Sequence, residues 1–190
     1  IVKFLGNTLI NKLKDENFEV TYEKVFDDVL ILSRALKAKG IKKGHKVMFV
    51  CDNRYEWFVT DMALVSLGAI SVPRGSDTPT EELKFIMQDS DSTFLIIENE
   101  KIYHEHEEMI KELKLKSIFV IQAEKVHTVF DNIYSYIDIL TDRKIFANEI
   151  TDFINLKDDL TEDDIFTIIY TSGTTGNPKG IMLTHLNYFA

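Results

Sequence analysis

Tyr170-Thr171-Ser172-Gly173-Thr174-Thr175-Gly176-Asn177-Pro178-Lys179-Gly180 is the most unusual stretch of this 190-residue chain. It holds three of the eight glycines, one of the three prolines, four aliphatic hydroxyls and a lysine. Glycines at 173, 176 and 180 clear side chains from the path and permit positive φ. Successive backbone N–H groups can then turn toward one anion. Thr171, Ser172, Thr174 and Thr175 add hydroxyl donors, and Lys179 adds a mobile positive charge suited to phosphate. Pro178 stiffens the chain just before that lysine. A surface turn needs one or two of these glycines and none of the crowded hydroxyls, so the pattern reads as a loop that holds a polyphosphate. Residues 164–170 before it read as a strand. Residues 180–183 after it read as a second short strand, and Thr184 is placed to cap a helix.

Working outward, apolar spacing alternates between helix and strand periods. A helix is expected from Thr21, its cap, to Gly40, with Val25, Phe26, Val29, Leu32 and Leu36 inward. A buried strand is expected over 46–51. A helix over 54–67 has Tyr55, Phe58, Met62 and Val65 as its inner stripe and Gly68 as its stop. A strand over 69–72 is expected to stop at Pro73. Thr78-Pro79-Thr80-Glu81 starts a helix with Thr78 as hydroxyl cap and with Leu83, Ile86 and Met87 facing inward. A strand over 93–97, a charged helix over 101–114 and a strand over 117–121 follow. Residues 123–157 show no clean period. The alternation predicts the α/β class, a mainly parallel sheet with helices on both faces. Ligands of such sheets bind beyond the carboxyl ends of the strands, where the glycine-rich loop falls.

Bulk properties narrow the function. The net charge of -9 argues against a basic face for nucleic acid. The single cysteine, Cys51, allows no disulfide within the chain and fits a reducing cytoplasm. No apolar run approaches the roughly 18 residues of a membrane helix. No signal peptide is visible. The chain starts with Ile rather than Met, so it is expected to be a piece of a longer protein or a processed one.

The glycine and lysine order separates this loop from two commoner ones. The P-loop has Gly, four residues, then Gly-Lys-Ser/Thr and a helix. Here Gly176 follows Gly173 by three residues, Lys179 precedes Gly180, and a strand-like run follows. Gly-x-Gly-x-x-Gly is also absent. The run Tyr170 to Gly180 instead resembles the signature of the adenylate-forming, AMP-binding superfamily of acyl-CoA synthetases, luciferases and peptide-synthetase adenylation domains. The resemblance extends to 18–22, 39–47, Leu67-Gly68-Ala69-Ile70-Ser71-Val72-Pro73, and 183–187. The turn Arg74-Gly75-Ser76-Asp77-Thr78 is similar to the long-chain fatty-acid branch.

That resemblance implies a function. In the family a carboxylate attacks the α-phosphate of ATP, pyrophosphate leaves, and coenzyme A thiol then attacks the acyl-adenylate. It implies that the loop holds the β- and γ-phosphates, with Thr171 reaching Mg²⁺. Ser172, Gly173, Thr174, Thr175, Gly176 and Gly180 would line the phosphates, and Lys179 would neutralise leaving-group charge. The implied partners are small molecules: ATP, coenzyme A and a long-chain fatty acid, with peripheral membrane contact open. The chain would be the first part of the large N-terminal domain, with 1–160 an α/β subdomain and 161–190 the strand, the loop and the start of the next subdomain. The pockets for adenine, acid and coenzyme A, and the family's catalytic lysine, fall in later motifs. The isolated chain is therefore expected to release no pyrophosphate from ATP, Mg²⁺ and fatty acid, and to bind ATP weakly or not at all.

Other readings stand beside this one: an acyl–carrier-protein synthetase, an aryl or amino-acid adenylating enzyme, a non-catalytic nucleotide-binding module, and a P-loop phosphotransferase, which the glycine and lysine spacing opposes. Among weaker site candidates, His104 and His106 are two apart and do not share a helix face, so a solvated acidic face is expected rather than a metal site. Cys51 reads as a buried structural thiol. Asp52 or Asn53 reads as a helix cap, Trp57 as core, and His185 as a residue near the loop with a structural or acyl-side role.

Overall fold

The computed structural model describes residues 2–5, 8–11, 18–123, 132–136, 138, 160–171 and 176–189. Strands β1 (Val2–Leu5), β2 (Thr8–Asn11) and β3 (Phe18–Thr21) form a three-stranded antiparallel sheet. The first two carry no signal in the sequence reading. Helix α1 (Tyr22–Ala38) follows directly, and the Thr21 hydroxyl accepts from the Lys24 amide as the expected cap. Then come β4 (Lys46–Val50), α2 (Tyr55–Ser66), β5 (Ile70–Arg74), α3 (Thr80–Asp89) and β6 (Phe94–Asn99). Helices α4 (Glu100–Glu105) and α5 (Glu107–Leu113) lead to β7 (Ser117–Gln122) and β8 (Ile133–Ser135). The chain closes with β9 (Ile165–Thr171), β10 (Lys179–Thr184) and α6 (His185–Phe189).

The expected α/β sheet is present. Seven strands lie in the order β10-β9-β5-β4-β6-β7-β8, all neighbours parallel except the β9–β10 hairpin. Because strand side chains alternate, each central strand feeds two cores. Met48, Val50, Leu95, Ile97, Ile118 and Val120 pack with Leu83, Ile86 and Met87 of α3 and with α4 and α5. Val47, Phe49, Phe94, Ile96, Phe119 and Ile121 pack with Leu32, Ala35 and Leu36 of α1 and with α2. Strands buried on both faces read as continuous apolar runs, which is why the sequence shows them so plainly.

Several expectations shift. In α1, Phe26 is exposed while Asp28 and Ser33 are buried. Asp28 is held by the Tyr55 hydroxyl at 2.8 Å and by Lys24, and Ser33 by the Ser66 hydroxyl at 2.8 Å, so polar side chains occupy part of the inner face. The fully buried stripe of α2 is Val59, Thr60, Asp61, Ala63 and Leu64; of the expected residues Tyr55 packs half-buried against the core, and Phe58, Met62 and Val65 are half-buried as well. Small and polar groups let the helix sit close to the sheet, and they defeat a rule that looks for large apolar residues. The charged helix breaks into α4 and α5 at His106, which turns inward with its ring bonded to the Thr80 hydroxyl at 2.8 Å. Helix α3 starts at Thr80, and Thr78 donates back to the Gly75 carbonyl instead of capping it. Most of 123–157 lies outside the described residues, with β8 the strand found within it.

Strand β5 runs through Pro73 to Arg74, paired to β4 by Phe49 with Pro73 and Val50 with Arg74. The Arg74 carbonyl accepts from the Cys51 amide at 3.0 Å. Backbone groups alternate along a strand, so Pro73 turns its donorless nitrogen the other way, toward β9. The β5–β9 ladder accordingly registers only at Ser71 with Thr167, with the Thr167 hydroxyl donating to the Ser71 carbonyl at 2.9 Å.

Candidate functional site: the β9–β10 turn and the cleft beneath it

The glycine-rich stretch is the connection of the β9–β10 hairpin. Its register pairs Thr171 with Lys179, Tyr170 with Gly180 and Ile169 with Ile181. Thr171 and Lys179 are therefore direct cross-strand neighbours on one face, and both are exposed. Because β9 runs parallel to β5, the turn lies at the carboxyl end of the parallel sheet. Ser172, Gly173, Thr174 and Thr175 lie outside the described residues. Gly176 has φ +147 with open space around it, so backbone conformation is what calls for glycine there.

Gly180 is glycine for a different reason. A Cβ at that position would lie 2.9 Å from Cζ of Tyr170 and 3.0 Å from a methyl of Ile168. The Tyr170 ring occupies the place of a side chain at Gly180. Gly180→Ala is therefore expected to destabilise the hairpin by about 1–3 kcal/mol, the usual cost of overpacking, read as a lowered urea midpoint with unchanged m-value. An unshifted midpoint would mean the ring has room to move aside.

Tyr170 is itself held firmly. It is 4% exposed, and its hydroxyl donates to the Asp89 carboxylate, the last residue of α3, at 2.6 Å. Burial, then the Asp89 carboxylate, raises its phenol, so it stays a donor. Its backbone carbonyl accepts from Nη1 of Arg74 at 3.0 Å. Arg74 also pairs with Glu82 of α3. The turn after Arg74 is bonded across to β4: the Ser76 amide and hydroxyl donate to the Asp52 carboxylate at 3.0 and 2.7 Å. Asp52 thus ties two strand ends together and does not cap α2, whose cap residue is Arg54 without a side-chain bond.

Where β5 and β9 lose their ladder a cleft of about 590 Å³ opens, lined among others by Asp52, Trp57, Pro73, Arg74, Ile169 and Tyr170. In the strand order β5-β4-β6-β7-β8 the topological switch falls between β4 and β6. That crevice is filled: Arg54 pairs with Glu98 at 3.5 Å and with Glu56 at 2.8 Å, and the Asp52 amide donates to Glu98 at 2.9 Å. The open space sits beside it, under the hairpin. Trp57 is half-buried there, stacked on Phe49 with centroids 6.1 Å apart. Cys51 also lines the cleft, but burial, then the Glu98 charge, pushes its thiol far up, so it is an unreactive thiol as expected.

Two candidates fall elsewhere. His185 begins α6 at the far end of β10, its amide donating to the Asp164 carbonyl at 3.0 Å and its ring edge-on to Phe166 at 5.6 Å. A strand of this length spans roughly 20 Å, so His185 is not near the loop. His104 is exposed and faces Glu107 at 3.3 Å, whereas His106 is buried against Thr80, so the two imidazoles do not converge. Sequence reasoning gives Arg74, Asp52 and Asp89 no part in the site. A basic residue directly after a proline at the carboxyl end of a buried strand is a signal that could have pointed to Arg74.

The AMP-binding enzyme family model matches residues 6–190. The chain belongs to the AMP-binding enzyme family of adenylate-forming enzymes. It is 32% identical to the chloroplastic long-chain-fatty-acid–[acyl-carrier-protein] ligase AEE15 of Arabidopsis thaliana, over 94% of this chain and 26% of that protein. It is 30% identical to the long-chain-fatty-acid–CoA ligase FadD15 of Mycobacterium tuberculosis, over 89% of this chain and 27% of that protein. The crystal structure of the anthranilate CoA ligase AuaEII in complex with anthranoyl-AMP superposes with a TM-score of 0.73 at 26% identity, over 90% of this chain and 31% of that one. The chain thus spans about a quarter of the length of the curated relatives it matches.

Proposed function

We propose that the complete protein activates a long-chain fatty acid as its acyl-adenylate, using ATP and Mg²⁺, and passes the acyl group to coenzyme A. The observation that carries this reading is the hairpin register, which sets Thr171 and Lys179 side by side at the carboxyl end of the parallel sheet. A carboxylate oxygen bonds to the α-phosphorus, the bond to the β-phosphate bridging oxygen breaks, and pyrophosphate leaves with the electron pair. The leaving group gains negative charge as that bond breaks, so a cation and amide donors held beside it stabilise the transition state more than the ground state. Lys179 is the cation. Ser172, Gly173, Thr174, Thr175, Gly176 and Gly180 form the cradle with it. The exposed Thr171 hydroxyl fits as one oxygen ligand of Mg²⁺, an ion that takes few protein ligands and keeps phosphate oxygens and water. The ion, when bound, neutralises phosphate charge. In this reading 1–160 belong to an α/β subdomain, and 161–190 hold a strand of its sheet, the phosphate loop and the start of the next subdomain.

Coenzyme A is the acceptor that resemblance to FadD15 supports; the similarity to AEE15 supports an acyl-carrier protein instead. Cys51, a buried free thiol, supports a reducing compartment such as the cytoplasm. Among the described residues no helix is long and apolar enough to cross a membrane. Acid-dependent exchange of labelled pyrophosphate into ATP by the complete protein tests the first half-reaction, with saturated fatty acids of graded length as substrates. Exchange with a long-chain acid is expected; none with any carboxylic acid would remove the reading. Thioester formation with coenzyme A against holo acyl-carrier protein then decides the acceptor.

A further inference from the structure

The turn Arg74-Gly75-Ser76-Asp77-Thr78 stands out in the sequence, yet none of its residues has a part in the chemistry above. Its place in the fold gives it one. Strand β9 must deliver Thr171 to the head of the glycine-rich turn, and on its β5 side it lacks the ladder bonds that would hold its carboxyl end, because Pro73 supplies no donor. Arg74 fills that gap. Its backbone carbonyl is fixed by the Cys51 amide at 3.0 Å, and its guanidinium donates to the carbonyl of Tyr170, the residue before Thr171, at 3.0 Å. The second arm of the fork goes to Glu82 in the first turns of α3. The other end of α3 reaches the same residue, since Asp89 accepts from the Tyr170 hydroxyl at 2.6 Å. Helix α3 is thus fastened to Tyr170 at both ends, through the main chain by Arg74 and through the side chain by Asp89.

We infer that Arg74 is a positioning residue of the pyrophosphate site, holding the carboxyl end of β9, and with it Thr171, in the geometry the turn requires, with Asp89 as the second point of support. This rests on the adenylate-forming reading for its catalytic consequence but not for its structural one. Arginine is needed rather than lysine because a planar fork can serve a carbonyl and a carboxylate together, which a single ammonium on a flexible stem does poorly. Main-chain displacement at the base of a reacting geometry costs rate and binding out of proportion to its size.

The test uses the complete protein and three variants: Arg74→Ala, Arg74→Lys and Tyr170→Phe. Two readouts are taken. Amide hydrogen exchange of the peptide covering 165–171 reports the hold on β9 whatever the protein catalyses. Pyrophosphate–ATP exchange reports the site. Arg74→Ala is expected to speed amide exchange at 168–171 and to raise the KM for both MgATP and pyrophosphate about tenfold, the scale of one lost charge-assisted hydrogen bond. The KM for the acid should stay within about twofold. Arg74→Lys should restore little, and Tyr170→Phe should shift the same constants in the same direction by less. If Arg74→Ala does not fold, Tyr170→Phe decides. Unchanged amide exchange at 165–171 overturns the inference. So does faster amide exchange with unchanged KM for MgATP and pyrophosphate, which would make Arg74 a purely structural residue. Faster amide exchange in a protein whose wild type shows no acid-dependent exchange keeps the clamp and removes the proposed function instead.

Discussion

Lys179→Ala is expected to lower kcat/KM for acid-dependent pyrophosphate–ATP exchange by about 10²–10³-fold, the loss seen when one preorganised charge-stabilising group is removed from a reacting centre. The position makes this a clean experiment. Lys179 opens β10, it is exposed, and its backbone is held by its register with Thr171 whatever its side chain. Exposed substitutions of this kind usually move stability by less than about 0.5 kcal/mol, so the fold should persist. Lys179→Arg should recover part of the activity, because a guanidinium keeps the charge but presents it in a different geometry. The effect should fall mainly on kcat with pyrophosphate-forming turnover, since charge on the leaving group grows as the bond breaks. A variant that exchanges at the wild-type rate would show that the cation of this turn does not face the phosphates.

The contrast between what the sequence disclosed and what it hid has a physical basis. The runs Val47–Val50 and Phe94–Ile97 within β4 and β6 are buried on both faces, so every side chain in them is apolar and the run declares itself. The hairpin was legible because glycine, hydroxyl and lysine positions are constrained by backbone geometry and charge at once. The supports of the hairpin were not. Asp89 meets Tyr170 across 81 positions of sequence and Arg74 meets it across 96, and no local period reports such a contact. The fully buried stripe of α2 was hidden for a related reason: Thr60 and Asp61 are buried polar residues, and Thr60 has its partner, the Tyr136 hydroxyl at 3.3 Å, on a distant strand end. The break at His106 escaped because histidine at mid-helix spacing looks solvated until Thr80 supplies a hydrogen bond. At Gly180 it is the absence of a side chain and not positive φ that matters, and only the register reveals the Tyr170 ring that fills the space.

Asp61→Asn is expected to stabilise the protein at neutral pH, an unusual sign for a core substitution. Asp61 is 4% exposed on the sheet-facing side of α2. Burial pushes its carboxyl from 3.8 up to about 6, against a smaller opposite pull from the Ser71 hydroxyl. Tyr188 of α6 lies within range of its charge, which adds to burial in raising that phenol. A raised carboxyl means that the native state holds its proton more tightly than the unfolded chain. Between about pH 4 and 6 the unfolded state has released the proton and the native state has not, so stability falls as pH rises through that window. Above about pH 6 both states are ionised and the full cost of the buried charge, roughly 2–3 kcal/mol, is in place. Asparagine keeps the shape and the hydrogen-bonding capacity but carries no charge. The variant should therefore gain most of that amount over the wild type at about pH 7.5 and almost none at about pH 4. Urea unfolding of both proteins at the two pH values measures it, and the comparison is internal, so a constant packing change from the substitution cancels. A difference that does not change with pH would show that Asp61 ionises in the native state as readily as in the unfolded chain. The carboxylate would then be compensated by donors stronger than the Ser71 hydroxyl, and the α2–β5 contact would owe part of its stability to a charge that burial opposes.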